Sequence, residues 1–318
     1  MKLIVELSGE HPDLPFAELE VVGTIIDKRA QVAVVESRDP RATRRLAMAH
    51  TVLEYLGDSP ADPDTFTAMV RDLGITAEGP FAARVRKMAG SAMQVTVPDL
   101  ERRIGSIIRG EVDLGNPACE YRAILSGDRC YFGKVIFTGD RPSYELRRPG
   151  TRTFFHPGVM MPRLARTLVN ISLVAPGELL LDPFCGTGGI VLEAILVGAR
   201  GIGSDIDPVM VSGSRNNVQG AEFVQADTGS LPFNDATIDA VVTDLPYGQS
   251  VSIVAGSLDD LYHDALSEIR RILMPGRRAI VVTHQDISRQ AAGIFSVRAC
   301  YAQRVHKSLT RRILVLER

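Results

Sequence analysis

The sequence of 318 residues predicts an α/β protein whose C-terminal half is a doubly wound, mostly parallel sheet, preceded by α+β segments. Three observations carry this reading. From residue 151 onward, apolar strand-like runs alternate with helical stretches, the pattern of parallel strands joined by helical crossovers. The first of these runs leads into a glycine-rich turn that opens a helix. Successive runs then end in acids, at Asp182, Asp205, Asp227 and Asp244, where the ligand crevice of such a sheet lies.

Taken in order, Lys2–Leu7 reads as a strand, Pro15–Val22 as a helical stretch and Val32–Val35 as a second strand. Arg41–Tyr55 carries apolar residues at helical spacing and predicts a helix. Gly57–Pro63 is a turn-rich break. Phe81–Arg86 alternates like a strand, and Pro98 stands at a helix start before the apolar face of Leu100–Ile108. Tyr121–Leu125 and Cys130–Phe137 flank Ser126-Gly127-Asp128 and predict a hairpin. Gly139–Gly150, rich in Arg, Pro and Gly, is a second break. The later strands are expected at Glu178–Asp182, Gly201–Asp205, Glu222–Gln225, Ile238–Thr243, Arg278–Thr283, Val297–Tyr301 and Arg312–Glu317. The last two are too close for a helical crossover, so an antiparallel hairpin is expected.

Composition excludes several classes. No run of about 18 apolar residues exists, which argues against a membrane span. The four cysteines show no CxxC spacing and no metal-ligand constellation appears, so no bound metal is expected and the chain reads as cytoplasmic. Residues 81–150 hold 12 basic against 8 acidic residues within a chain of net charge −2. That local surplus fits either a footprint for a phosphate backbone or an ordinary solvated face.

Leu179–Ile190 joins an apolar strand to a turn built from Asp182, Pro183, Phe184, Cys185, Gly186, Thr187 and Gly188. Glycines at 186 and 188 let backbone approach a ligand without a Cβ in the way. The turn lacks the GxGxxG of pyrophosphate binders and places an acid where a pyrophosphate wants none. A carboxylate there suits a cationic ligand: the amino group or sulfonium region of S-adenosylmethionine. Asp205 ends the second strand, where an acid accepts ribose hydroxyls, and Ile206 can cover an adenine face. Asp227, with Thr228 beside it, can take the adenine amino hydrogens. Cys185 reads as a packing residue of this turn, since a nucleophilic cysteine needs a different motif. His156 either touches the cofactor or caps the neighbouring helix.

The fourth strand of the alternating region ends in Asp244-Leu245-Pro246-Tyr247-Gly248. The lone pair of an aromatic amine is delocalised into its ring, so the nitrogen is a poor nucleophile. Two acceptors on its hydrogens favour the pyramidal geometry that aims the lone pair at a methyl group. The Asp244 carboxylate and the Leu245 carbonyl can supply them, Pro246 holds the turn, and Tyr247 offers a stacking face to a flipped base.

Asp-Pro-Phe-Cys-Gly-Thr-Gly followed by Asp-Leu-Pro-Tyr-Gly resembles the amino-methyltransferases with an [Asp/Asn/Ser]-Pro-Pro-Tyr motif. Within them the chain is most similar to the archaeal and eukaryotic THUMP-domain tRNA guanine-N2 methyltransferases that act on position ten. Phe154–Arg166 looks like that family's segment ahead of the cofactor strand. Ile104–Ile108 with Val112–Pro117 and the following hairpin resembles a THUMP domain, and His306–Ile313 resembles the closing hairpin. Leu245 departs from the first proline of the broader motif, but it would contribute only its carbonyl. The resemblance implies a class I Rossmann-fold methyltransferase domain at 161–318 after a 146–160 linker. It also implies a ferredoxin-like domain at 1–60 and a THUMP RNA-binding domain at 61–145. It further implies S-adenosylmethionine as cofactor, tRNA as substrate and a monomeric enzyme. The alternatives are a guanine elsewhere in tRNA or in rRNA, or a non-catalytic RNA-binding protein; no Ser-Gly-Gly-x-Asp-Ser loop of a thiouridine synthetase is present.

Overall fold

The computed structural model describes residues 1–247, 257–307 and 309–318; Gly248 of the Asp-Leu-Pro-Tyr-Gly run and Ser308 of the closing-hairpin run lie outside them. The chain forms two units, Met1–Gly139 and Asp140–Arg318.

The first unit holds β1 (Lys2–Leu7), α1 (Leu14–Glu18), β2 (Gly23–Arg29), β3 (Val32–Ser37), β4 (Ala49–Pro60), α2 (Pro63–Asp72), β5 (Phe81–Lys87), α3 (Val97–Ile107), β6 (Cys119–Ser126) and β7 (Arg129–Thr138). Its strands make one sheet in the order β2-β3-β1-β4-β7-β6-β5, so residues before and after 60 share a sheet. β6 and β7 form the expected antiparallel hairpin, and Gly127 supplies the left-handed turn residue at φ +55°.

Residues 41–55 depart from the helix expected of them. Only Pro40–Arg45 turns, as a short 3₁₀ helix capped by Asp39, and Ala49–Pro60 is strand β4. β4 is paired on both edges, with β1 and β7, and Val52 and Leu53 are both fully buried. A strand buried on both faces shows a continuous apolar run, which spacing alone does not separate from a helix. The turn-rich 57–60 stretch stays in the strand because Gly57 pairs with Phe132 beside a bulge and Asp58 is held by Tyr55 and Arg129.

The second unit contains α4 (Arg141–Leu146), α5 (Pro162–Ile171), β8 (Leu179–Asp182), α6 (Gly189–Leu196), β9 (Arg200–Asp205), α7 (Pro208–Asn217), β10 (Glu222–Gln225), β11 (Ile238–Asp244), α8 (Leu258–Ile272), β12 (Leu273–Thr283), α9 (Ser288–Ala292), β13 (Ser296–His306) and β14 (Leu309–Glu317). The sheet order is β10-β9-β8-β11-β12-β14-β13. Neighbours from β10 to β12 are parallel, and β14 runs antiparallel to both β12 and β13, as the sequence predicts. Leu180, Leu181, Val241, Val242, Ile280 and Val281 are buried at the sheet centre because helices cover both faces of a doubly wound sheet. The order reverses between β8 and β11. At such a switch point the two flanking crossovers leave on opposite faces, and a crevice opens beyond the carboxyl ends of the strands.

Candidate active site

β8 delivers Asp182 to that crevice with 1% of its surface exposed. Burial pushes its carboxyl up to about 8; the Thr243 side chain and the Phe184 N–H pull it back, and the nearby charges of Asp205 and Asp244 raise it further. Gly186 follows with φ +49° and open space where a Cβ would stand, and Gly188 has φ +80°. The turn therefore offers bare backbone on its outer side. A cavity of about 180 Å³ opens there, lined among others by Asp182, Cys185, Gly186, Thr187, Asp244 and His156. The N-cap residue of α5 is Met161 and no side chain caps the helix, so His156 lines the cavity and does not cap that helix; its Nδ1 lies 2.9 Å from Pro157 O.

The remaining acids extend the site along the strand ends. Asp205 accepts the Gly186 N–H at 2.9 Å on Oδ2 and the Asp207 N–H at 3.0 Å on Oδ1. Burial raises its carboxyl, against those two amides. Each oxygen keeps a lone pair for a further donor. Gly203, in β9, admits no side chain: a Cβ would stand 2.6 Å from the Phe223 ring and 2.9 Å from Cys185 Cβ. Cys185 is buried in that cluster and its thiol is pushed up by burial, so it packs as expected. Ile206 is 41% exposed, and Asp227 is exposed with Oδ1 on the Gly229 N–H. Thr228 ties this loop to the glycine turn through a 3.0 Å bond to the Pro183 carbonyl. Pro183, Gly188, Asp205, Ile206, Asp227 and Thr228 do not line the 180 Å³ cavity itself.

β11 places Asp244 beside Asp182, because β8 and β11 are adjacent and parallel. Burial pushes the Asp244 carboxyl up to about 6, and the charge of Arg311 and the Tyr247 hydroxyl hold it down. Residues 245–247, which follow it, are tied back by hydrogen bonds. The Leu245 N–H donates to Val282 O at 2.8 Å, and the Tyr262 hydroxyl donates to Pro246 O at 2.6 Å. Tyr247 donates to Asp244 Oδ1 at 2.7 Å and accepts from Arg311 Nε at 3.1 Å. Its ring lies 4.9 Å from that of His284.

Sequence reading missed Arg311, His284 and Tyr262. Arg311 falls inside the closing-hairpin run, but nothing local marks it. It lies 64 residues from Tyr247, and only the strand order brings the two together.

Residues 149–313 match the family described as UPF0020: RMKL-like, methyltransferase domain. The chain is 38% identical to the tRNA (guanine(10)-N2)-dimethyltransferase of Methanothermobacter thermautotrophicus, over the whole of both chains. It belongs to the tRNA guanine-N2 methyltransferase family. The enzyme of the same description from Pyrococcus abyssi is 30% identical, with 98% of each chain covered. Among solved structures, TrmN from Thermus thermophilus matches over 100% of both chains with TM-score 0.54 and 21% identity, a likeness of fold. As a member of this family the chain is an S-adenosylmethionine-dependent transferase with a class I methyltransferase fold. The cavity suits that cofactor's cationic methionine end: its described lining includes Asp182 and Asp244 and neither Lys nor Arg. Among the described residues no group of acids, histidines and cysteines is arranged to hold a metal ion, and no helix is long and apolar enough to cross a membrane.

Proposed function

We propose that this chain methylates the exocyclic N2 of guanosine 10 in tRNA, adding one methyl group and then a second. One observation carries the reading. Asp244 lines the same cavity as Asp182, so one cavity would hold both an amine received at Asp244 and the methionine end of a cofactor received at Asp182. The position follows the names of the relatives that match the full length of the chain. S-adenosylmethionine supplies an electrophilic methyl group on a sulfonium.

In this reading Asp182 and His156 receive the methionine end, with Pro183, Cys185, Gly186, Thr187 and Gly188 forming the turn around it. Asp205 accepts the ribose hydroxyls, Ile206 covers the adenine, and Asp227 with Thr228 receives its amino edge. Asp244 Oδ2 and the Leu245 carbonyl accept the two N2 hydrogens and orient the lone pair. Pro246 fixes the turn and the Tyr247 ring stacks on the base. Bound there, the cofactor would supply the methyl group that N2 takes up, and Asp244 would accept the N2 proton and release it to solvent. By fixing the amine, Asp244, Leu245 and Pro246 contribute to rate through orientation.

Residues 1–60 are assigned as the ferredoxin-like domain, 61–145 as the THUMP domain, 146–160 as the linker and 161–318 as the methyltransferase domain. The basic surplus of 81–150 grips tRNA phosphates. The enzyme acts as a cytoplasmic monomer. Digestion of tRNA incubated with enzyme and cofactor, followed by mass spectrometry of nucleosides and sequence mapping, tests the assignment. N2-methyl- and N2,N2-dimethylguanosine at position 10 are expected. Methyl groups on adenine N6 or cytosine C5 would overturn it.

A further inference from the structure

Arg311 belongs to a row of polar side chains that crosses the sheet beside Tyr247. Gln303 on β13 pairs directly with Arg311 on β14, and directly opposed residues project from the same face. Thr283 pairs with Arg312, so one further step in that register sets His284 opposite Arg311. The His284–Tyr247 ring contact agrees with this placement.

The row carries unused hydrogen-bonding capacity. Gln303 Oε1 is buried and has no partner among the described residues. Arg311 uses Nε on Tyr247, while its Nη2 stands 3.7 Å from Asp244 Oδ2, beyond a hydrogen bond. Its side chain is 11% exposed, so its spare N–H groups are largely withdrawn from water. Buried polar groups without partners are rare in folded proteins and point to a missing ligand group.

Those spare groups are one acceptor and a set of donors. Beside its 2-amino group, guanine presents an N1–H donor and then the O6 acceptor. Adenine presents the opposite pattern, and no 2-amino group. We infer that Gln303 and Arg311 read the guanine edge, Gln303 Oε1 accepting from N1–H and the Arg311 guanidinium donating to O6, while His284 backs the Tyr247 ring. This rests on the reading that Asp244 receives the 2-amino group. It adds what that motif lacks: acceptors on an amine recognise the amine, whereas the row selects the ring that bears it.

The test uses full-length enzyme and tRNA ligated with 2-aminopurine at the position the wild type methylates. This base keeps the 2-amino group but lacks both N1–H and O6. Wild-type kcat/KM is expected to favour guanine by at least about a hundredfold. Gln303→Leu should lower kcat/KM on guanine about thirtyfold and leave 2-aminopurine within about threefold, with unchanged cofactor affinity and melting temperature. Arg311→Met should lower both but guanine more. Equal losses on the two bases, or no loss on guanine, overturn the inference. If 2-aminopurine turnover falls below detection, inhibition decides. Inosine-substituted tRNA should inhibit wild type about tenfold better than purine-substituted tRNA, and Gln303→Leu should cut that ratio to about threefold, the part that Arg311 reads at O6. A ratio near one in wild type, or one undiminished in Gln303→Leu, also overturns it. Failure of the wild type to methylate guanine N2 at all would instead sink the proposed function.

Discussion

Asp182 and Asp244 stand on adjacent parallel strands and line one cavity, each with its carboxyl raised by burial, to about 8 and about 6. Among the described residues neither Lys nor Arg lines that cavity, although Arg311 Nη2 stands 3.7 Å from Asp244 Oδ2. The site thus holds an uncompensated acid at the expense of stability, a common arrangement where a cationic ligand supplies the missing charge.

Asp182→Asn should therefore separate stability from function. The unfolded-state carboxyl titrates near 3.8 and the folded one near 8, so the carboxylate disfavours folding increasingly as pH rises through that window. At pH 4 and below, wild type and Asp182→Asn should melt together. At pH 7–8 the cofactor-free variant should melt higher, by several degrees for a gain on the order of 2 kcal/mol. Its affinity for S-adenosylmethionine should drop by more than tenfold. A cofactor-free variant that melts lower than wild type at pH 8 would count against the raised carboxyl.

Asp244 should set the acid limb of the rate profile. Only its ionised form accepts hydrogens from the amine, and its carboxyl lies near 6. Below that pH, kcat/KM is expected to fall about tenfold per unit, with a plateau above 7. Asp244→Ala should cut turnover at least about a hundredfold while cofactor affinity by calorimetry stays nearly intact. A variant that retains turnover, or a wild-type profile flat from pH 5 to 8, would contradict the assignment.

The strand-end acids were legible in the sequence because each follows a short apolar run, and that local pattern fixes both the strand and its carboxyl end. Asp182, Asp205 and Asp244 lie within runs of residues that name their own geometry. Gln303, Arg311 and His284 were not legible. Gln303 lies within β13, Arg311 near the start of β14 and His284 just past β12, none with a local mark, and they meet only because β14 inserts antiparallel between β12 and β13. β4 was misread for a related reason: pairing on both edges is a tertiary fact, and it removes the alternation that marks a half-buried strand.

Asp205 holds the glycine turn through Gly186 N–H as well as offering itself to a ligand. Asp205→Ala should weaken cofactor binding by more than tenfold, on the order of 2 kcal/mol for bonds to a charged acceptor. It should also lower the melting temperature, which Asp205→Asn should partly restore. Unchanged affinity in a folded variant would remove Asp205 from the cofactor site.

If the basic surplus of residues 81–150 grips phosphates, tRNA affinity should fall steeply with salt, each contact contributing a slope of about −0.7 to −0.9 in log–log form. Arg109, exposed just beyond α3, is a suitable probe. Arg109→Ala should reduce the slope by about one unit and leave cofactor affinity unchanged. A salt-independent affinity would shift recognition away from phosphate contacts.

Tyr247→Phe separates the two functions of this tyrosine. From stacking alone, the variant should be nearly silent, since the ring remains and only Tyr247→Ala would lose the ~1–3 kcal/mol of a base–aromatic stack. The hydroxyl, however, donates to Asp244 and accepts from Arg311. Removing it leaves a buried arginine donor unpaired and frees the Asp244 carboxylate to rotate. The cost of the unpaired group is about 1–3 kcal/mol, and it falls on the geometry of the acceptor. Turnover in Tyr247→Phe should therefore drop about tenfold or more with little change in KM for tRNA, whereas Tyr247→Ala should also raise that KM. Kinetics of the two variants on the same tRNA decide the matter. A Tyr247→Phe enzyme with full turnover would show that the hydroxyl bridge does not position Asp244, and that the ring alone accounts for the residue.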